Sequence, residues 1–308
     1  MSGRRVTEQA PAKLNLTLRV LGRQPDGLHE LQSLVVPLCW GDTLEVILTP
    51  RSRSWDEAPR VTLDCPGHPA LQGPHNLAWR AAERLLAAHP GVTCHLRLEK
   101  RIPVAAGLGG GSADAAATLR ALCRRLDPSP EATRVMSLAA ELGADVPVCL
   151  RGEPAWVSGW GERLHPAPGL PAFFLCLIHP ELAIHTADVF AALDAPPVGP
   201  RPALPPAPRT LSALAAQVRN DLWPAVRRAH PDLGRAWRAL EDQAPLAVSM
   251  SGSGPTLFGI FSTRAAAEAA AAALRTQGYR TTATLFEGSA ANIGGKKGRS
   301  NGVGKSEP

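Results

Sequence analysis

Strict alternation of apolar and polar side chains predicts a strand near the start of the chain. Residues 13–20 read Lys-Leu-Asn-Leu-Thr-Leu-Arg-Val, so the leucines and the valine would face a core. Lys13 and Asn15 would then project in the same direction from the opposite face. The same kind of pattern predicts further strands at 42–49, 61–65 and 92–99.

Apolar residues at helical spacing predict helices between and after these strands. Residues 76–89 have this spacing, and Asn76 is placed to cap the helix start. A second helix over 130–142 would have Ser129 as its N-cap and Gly143 beyond its end. Further helices are expected at 113–126, just after 186, and at 211–219, 232–243 and 264–275. Short apolar runs are assigned to strands at 146–150, 173–178, 246–250, 256–261 and 279–286.

Strands and helices alternate along the whole chain, which is typical of an α/β or α+β protein with two lobes. A proline-rich linker is expected at 195–208. We assign one lobe to residues 1–152 and a second to residues 153–287. Residues 288–308 consist mainly of Gly, Ser, Asn and Lys, so we expect a disordered basic tail there.

Charge and cysteine usage narrow the range of partners and compartments. The net charge is +6, but the tail holds four basic residues and one acid, so half of the excess lies there. The folded body is therefore too close to neutral to indicate a nucleic-acid partner. No run of about 18 apolar residues is present, which argues against a membrane span. Six widely spaced cysteines without a C-x-x-C pair favour a reducing, cytoplasmic compartment, and the histidines form no metal-binding pair.

The basic residues are biased strongly towards arginine. Only five of the 33 are lysine, and only Lys13 and Lys100 lie outside the tail. A lysine that persists in such a body indicates a need for a flexible point charge that a rigid guanidinium cannot replace. Chance placement of two lysines is the alternative, and composition alone does not decide between them.

A glycine-rich loop between a strand and a helix is the strongest local motif. Residues 107–112 read Gly-Leu-Gly-Gly-Gly-Ser, and backbone N–H groups in such a loop bind phosphate together with the helix start. The loop lacks the lysine of a P-loop, and Ser112 stands where a dinucleotide fold has glycine. The alternative is that Ser112 only caps its helix while the glycines only turn the chain.

Several motifs together resemble those of the GHMP small-molecule kinases. Asp145 and the 251–255 loop are each weak signals alone, but their order along the chain is specific. The matching segments are Pro11–Leu16, Asp26–Gln32, Gly41–Asp42, Pro103–Ala117, Leu142–Pro147, Asn220–Asp221 and Ser251–Pro255. The resemblance implies an α+β, two-lobed GHMP kinase fold. Its N-terminal lobe would be like domain 2 of ribosomal protein S5 and its C-terminal lobe ferredoxin-like.

The resemblance also implies an activity, namely transfer of the γ-phosphoryl group of ATP, with Mg²⁺, to a small alcohol. It is closest to members that phosphorylate the 2-hydroxyl of a cytidylated methylerythritol in the non-mevalonate route to isoprenoid precursors. Lys13 and Asp145 would be the catalytic pair beside that hydroxyl. Substrate contacts would come from Asn15, Leu28, His29 and Phe190. The ATP phosphates would be held by Pro103, Val104, Ala105, Ala106, Gly107, Leu108, Gly109, Gly110, Gly111 and Ser112.

One departure from the family keeps other substrates open. Leu28 stands where relatives commonly carry a tyrosine that stacks on cytosine, and losing one stacking face costs about 1–3 kcal/mol. A kinase for another alcohol, such as mevalonate or homoserine, is therefore an alternative. A non-catalytic relative that binds RNA is a second alternative. The main expectation is an enzyme with ATP and a small molecule as partners, without nucleic acid or membrane, acting as a monomer or weak dimer.

Overall fold

The computed structural model describes residues 4–51, 59–126, 130–193 and 195–288. The strands are β1 (Arg4–Arg23), β2 (His29–Pro50), β3 (Val61–Asp64), β4 (Val92–Glu99), β5 (Ala155–Gly159), β6 (Arg163–Pro166), β7 (Phe173–Ile178), β8 (Arg219–Asn220), β9 (Ala247–Met250), β10 (Leu257–Phe261) and β11 (Thr281–Phe286). The helices are α1 (Leu77–Leu86), α2 (Gly110–Cys123), α3 (Ala132–Leu142), α4 (Val146–Arg151), α5 (Thr186–Ala191), α6 (Leu211–Gln217), α7 (Trp223–Ala229), α8 (Pro231–Glu241) and α9 (Arg264–Thr276).

The first sheet is built around the long antiparallel pair β1 and β2. Its main path runs β3-β4-β2-β1-β8, and β5 pairs with the first part of β2 while β6 pairs with β5. The second part of β2 pairs with β4. Because β2 is so long, it links the β5–β6 pair at its start to β4 near its end.

The second sheet contains four antiparallel strands in the order β11-β7-β10-β9. Numbered by their order along the chain, they read 4-1-3-2. The helices α5 to α8 lie between the first and second of them, and α9 lies between the third and fourth. This is the split βαβ arrangement that the ferredoxin-like expectation describes.

Three apolar clusters hold the layers together. One packs α1 to α4 on the first sheet, one lies between the two sheets, and one packs the C-terminal helices on the second sheet. Leu14 and Leu16 of β1 are buried between the sheets as predicted. Lys13 and Asn15 on the other face are also buried, so both faces of β1 are covered here. Burial of an ammonium and an amide requires polar partners, and the site supplies them.

Most predicted elements are confirmed, but one predicted strand is a helix and several elements were missed. Residues 146–150 form helix α4 and not the predicted strand, since Pro147 starts the helix and Gly152 ends it in a left-handed conformation. A short apolar run is compatible with either element, so periodicity could not decide. The strands β5, β6 and β8, the helix α7 and the full lengths of β1 and β2 were not predicted.

Helix boundaries and the lobe boundary need separate comment. Helix α1 begins after Asn76, whose side chain accepts the N–H of Ala78 as the cap prediction requires. Helix α3 begins only at Ala132, after Glu131, and the predicted cap Ser129 lies outside the described residues. Strands β5 and β6 follow residue 152 in the sequence but join the first sheet. The lobe boundary at residue 152 stays a prediction. The predicted basic tail lies almost wholly outside the described residues.

Within the described ranges, no helix combines the length and the apolar composition that crossing a membrane demands.

Candidate active site

Lys13 and Asp145 meet although 131 positions separate them in the printed sequence. The Lys13 Nζ atom lies 3.0 Å from Asp145 Oδ2, and the lysine side chain is buried while the carboxylate is partly exposed. Asp145 precedes helix α4 and uses no side-chain atom to cap it, so its carboxylate is available to the lysine. Both residues line a cavity of about 510 Å³ between the two lobes.

Polar groups of β1 and β2 fix the direction of the Lys13 side chain. The Nζ atom donates to Asn15 Oδ1 at 2.7 Å, and Asn15 Nδ2 donates to Ser33 Oγ at 2.8 Å. The Ser33 hydroxyl in turn donates to the carbonyl of Thr17. This chain of hydrogen bonds orients Asn15 with its oxygen towards the ammonium. Lys13 and Asn15, which the sequence predicts on one face of β1, are therefore joined by a hydrogen bond.

The backbone of the glycine loop lies directly against Lys13. The Lys13 N–H donates to the carbonyl of Leu108 at 3.0 Å. Gly109 has φ 65°, and a Cβ added there would lie 2.7 Å from Lys13 Cγ. Only glycine allows both this conformation and this approach. The loop and the lysine are thus positioned by each other.

Helix α2 begins inside the loop, at Gly110. Gly109 is the N-cap, and Ser112 lies within the first turn and not at the cap. The reading of Ser112 as only a helix cap is therefore wrong. Ala105 also adopts a positive φ, 55°, which is uncommon outside glycine and occurs often at binding sites.

The second glycine loop, residues 251–255, closes the site from the C-terminal lobe. Ser251 Oγ donates to the carbonyl of Gly107 at 2.9 Å and accepts the N–H of Asn15 at 3.2 Å. Asn220 Nδ2 donates to the carbonyls of Met250 and Gly252 at 2.7 and 2.8 Å. The Ser251 bonds join both lobes beside Lys13, and the Asn220 bonds hold the 251–255 loop from within the C-terminal lobe, so both residues position this loop.

A buried charged cluster lies at the entry to the glycine loop, and sequence reasoning missed it. Lys100 Nζ lies 2.5 Å from Asp42 Oδ2 and 2.7 Å from Asp114 Oδ2. Asp42 Oδ1 also accepts the N–H groups of Arg101 and Ile102, at the entry to the loop. The signal was available, because Lys100 is the second lysine that the arginine-rich body retains.

The pKa values of this cluster are shifted by its burial and by the close charges. Burial raises the pKa of Asp114, Lys100 opposes that rise, and Asp42 adds to it. Burial alone would lower the pKa of Lys100, but the two carboxylates outweigh it and raise that pKa. Lys100 is therefore held as an ammonium between its two partners.

The other end of the cavity carries an aromatic contact. The rings of His29 and Phe190 lie 5.0 Å apart between centroids, with Phe190 lining the cavity. Burial, together with the charge of Arg23, lowers the pKa of His29, and its Nε2 atom is buried without a hydrogen-bond partner. Leu28 is 47% exposed and does not line the cavity. Of the predicted substrate residues, Asn15 and Phe190 therefore line the cavity, His29 packs on Phe190 from outside the lining, and Leu28 does neither.

A second cavity of about 320 Å³ lies on the other side of the glycine loop, and residues 103–107 line it. Lys100 and Asp114 form part of its wall. Ala105, Gly107, Gly109 and Ser112 line both cavities, so the loop separates two compartments. Two compartments that meet at one glycine loop suit a reaction between two substrates.

Comparison with known proteins identifies the family. The family model for the N-terminal domain of GHMP kinases matches residues 76–153, and the model for their C-terminal domain matches 207–280. The 4-diphosphocytidyl-2-C-methyl-D-erythritol kinase of Paramagnetospirillum magneticum is 45% identical over 274 residues, covering 86% of this chain and 92% of its own. The chain belongs to this family of GHMP kinases.

Structural comparison agrees with this assignment. A crystal structure of a 4-(cytidine 5′-diphospho)-2C-methyl-D-erythritol kinase superposes with a TM-score of 0.73 at 35% identity, covering 92% of this chain and all of the other. Homoserine kinase from Cytophaga hutchinsonii gives 0.67 at 18% identity, over 93% and 96% of the two chains, and shares the fold. The resemblance, the α+β GHMP kinase fold and a small-molecule kinase activity are thereby confirmed.

Proposed function

We propose that this chain transfers the γ-phosphoryl group of ATP to the 2-hydroxyl of 4-diphosphocytidyl-2-C-methyl-D-erythritol. The observation that carries the proposal is the 3.0 Å contact between Lys13 and Asp145 in the 510 Å³ cavity, beside the glycine loop that lines both cavities. The names of the relatives at 45% identity support this substrate over mevalonate or homoserine. The lysine and the aspartate argue for catalysis over a non-catalytic RNA-binding role.

The proposed mechanism depends on positioning and on charge. Phosphoryl transfer passes through a loose transition state, so the enzyme gains most from alignment of the reactants and stabilisation of developing charge. Asp145 would accept the proton of the attacking hydroxyl late in the reaction. Lys13, held by Asn15, would offset the charge that grows on the attacking oxygen.

The residues of the glycine loop fit the ATP phosphates. Gly107 has φ 75°, and a Cβ there would lie 2.3 Å from the carbonyl of Ser251. A backbone packed this closely can present N–H groups to an anion without side chains in the way. The start of helix α2 adds unpaired donors and the positive end of its dipole. We place the phosphates at residues 103–112, as the sequence predicted.

Mg²⁺ would enter this site with ATP. The described residues contain no group of three or more His, Cys, Asp or Glu side chains arranged around one point. Ser112 lies in the first turn of α2 and lines both cavities, so its hydroxyl is placed to serve as a ligand beside the phosphates, and the ion would neutralise phosphate charge. A cytoplasmic location, the lack of nucleic-acid or membrane partners, and a monomer or weak dimer stay predictions from the sequence.

Release of ADP tests the proposed substrate directly. The purified full-length chain is given ATP and Mg²⁺ with the cytidylated alcohol, with mevalonate or with homoserine. We expect turnover with the cytidylated alcohol at least about 100-fold above either competitor, because their lack of a nucleotide removes the base contacts. Faster turnover of mevalonate or homoserine would contradict the proposal.

A further inference from the structure

Trp160 is an exposed aromatic residue at the edge of the proposed substrate cavity. Its relative exposure is 43%, although large apolar side chains of this chain are mostly buried. It lines the same 510 Å³ cavity as Lys13, Asp145 and Phe190. An indole left partly open beside a binding cavity has apolar area that a ligand can cover.

The turn that carries Trp160 has a defined conformation. Trp160 follows β5, and its N–H donates to the Glu162 carboxylate at 2.8 Å. Gly159 has φ 76° and lies so close to this carboxylate that a Cβ would overlap it. Arg163 Nε lies 3.1 Å from the other oxygen of Glu162. The backbone at Trp160 is thus fixed by its neighbours.

The same turn is packed against the catalytic segment. A Cβ on Gly161 would lie 3.0 Å from the Cβ of Ala144, the residue before Asp145. Trp160 therefore lies one residue from a direct contact with the segment that carries the proposed base. This approach packs the turn that carries Trp160 against the segment that carries Asp145.

Strand register places Trp160 beside the start of β2. Gly159 pairs with Leu31 in the antiparallel ladder of β5 and β2. The chain beyond Gly159 therefore runs towards His29, whose ring packs on Phe190. Leu28, which offers no ring, lies in the same region and outside the cavity lining. Position 28 offers no aromatic surface, but Trp160 offers one at the end of the neighbouring strand β5.

We propose that Trp160 is a base-stacking residue that binds the nucleobase of the substrate together with Phe190. The proposal rests on the proposed function, since the cytosine of the cytidylated alcohol is the base concerned. Aromatic side chains bind nucleobases through stacking on the ring face, which needs a flat, partly open ring such as this one. The residue contributes to substrate affinity and takes no part in the transfer of the phosphoryl group.

Binding of CDP tests this role apart from catalysis. The probe is CDP with the ATP site saturated by a non-hydrolysable ATP analogue, measured by calorimetry on the full chain. We expect Trp160→Ala to weaken CDP binding about 5- to 100-fold and to raise KM for the cytidylated alcohol equally. The KM for ATP and kcat should stay within about 2-fold, and Trp160→Phe should restore most of the affinity.

Two controls make the result specific. Leu246→Ala removes another exposed apolar side chain, outside both cavities, and should leave CDP binding unchanged. CDP should alter the tryptophan fluorescence of the wild type and of Trp237→Phe but have a much smaller effect on Trp160→Phe. Circular dichroism establishes whether each variant is folded, and Trp160→Leu, which keeps apolar bulk without a ring, replaces Trp160→Ala if the latter is not.

The outcomes separate this proposal from the proposed function. Unchanged CDP affinity in Trp160→Ala, or a loss confined to kcat, would overturn the stacking role while turnover of the cytidylated alcohol by the wild type would still support the function. CDP binding that depends on Trp160 in a protein that does not phosphorylate that alcohol would refute the function and support the stacking role. Failure of the wild type to bind CDP would overturn the stacking role.

Discussion

At the scale of single residues, Lys13 combines a charge requirement with a steric one. Its ammonium contacts Asp145 and Asn15, while its alkyl chain lies against the backbone of Gly109. The side chain is 8% exposed, so little space remains for a larger head group. Size and charge together explain why arginine, abundant elsewhere in the body, is absent here.

Lys13→Arg is expected to lower kcat/KM for the cytidylated alcohol by about 100-fold or more. The guanidinium fork is wider than an ammonium and would displace either Asp145 or the glycine loop. Steady-state kinetics measure the loss, and a thermal melt establishes that the variant is folded. An arginine variant with wild-type activity would reduce the lysine bias to coincidence.

At the scale of elements, what the sequence predicts depends on how distinct the pattern is. Strict alternation placed Lys13 and Asn15 on one face of β1, and helical spacing with Asn76 placed α1. The run at 146–150 was ambiguous, so the element that follows Asp145 was assigned wrongly. The family resemblance, and not the local pattern, pointed to Asp145 and Phe190. Trp160 and the Lys100 cluster were missed because their role arises from strand register and burial, which one sequence does not encode locally.

Gly109→Ala is expected to impair catalysis by steric overlap with Lys13. We expect at least about a 10-fold loss in kcat/KM, because an added Cβ would lie 2.7 Å from Lys13 Cγ. Gly152→Ala is the matched control, since Gly152 has the same φ of 65° but nothing within 4 Å of an added Cβ. Equal activity losses in the two variants would show that backbone strain, and not the contact with Lys13, is responsible.

The cluster of Lys100, Asp42 and Asp114 is expected to stabilise the entry to the glycine loop. Lys100→Met leaves two buried carboxylates without their cation, so the free energy of unfolding should fall by about 3–5 kcal/mol. The exposed pair of Arg264 and Glu268 offers a control. Arg264→Met should change the free energy of unfolding by less than about 1 kcal/mol. Denaturant titration measures both, and an unchanged value for Lys100→Met would contradict the assignment.

At the scale of the whole molecule, the lobes are joined at the candidate active site by the hydrogen bonds of Ser251 with Asn15 and Gly107. The buried residue His179 directly follows β7 of the second sheet, and its Nδ1 atom lies 3.4 Å from Oγ1 of Thr256, next to the 251–255 loop. His179 Nε2 lies 3.0 Å from Thr282 Oγ1, and its ring stacks on Trp40 of the first sheet. Burial, and secondarily the charge of Arg280, lowers the pKa of His179 to about 4. Stability of the joined lobes should therefore depend on pH.

The free energy of unfolding should decrease as the pH falls through the range between the two pKa values of His179. Unfolded chains protonate a histidine near pH 6.5, whereas the folded chain resists protonation until about pH 4. The contribution is full above about pH 6.5 and is lost below it, by about 2–3 kcal/mol at about pH 4.5. Denaturant titrations of the wild type and His179→Gln at both ends of the range isolate it. Parallel pH profiles for the two proteins would contradict this prediction.

The most direct test of the account is a single-turnover measurement on Asp145→Asn. The amide preserves the shape of the side chain but cannot accept the proton of the attacking hydroxyl. We expect the rate of phosphoryl transfer to fall at least about 100-fold, with ATP affinity within about 2-fold of the wild type. Asp232→Asn, on the exposed surface of α8, should retain the full rate. A full rate in Asp145→Asn would contradict the claim that Lys13 and Asp145 form the catalytic pair.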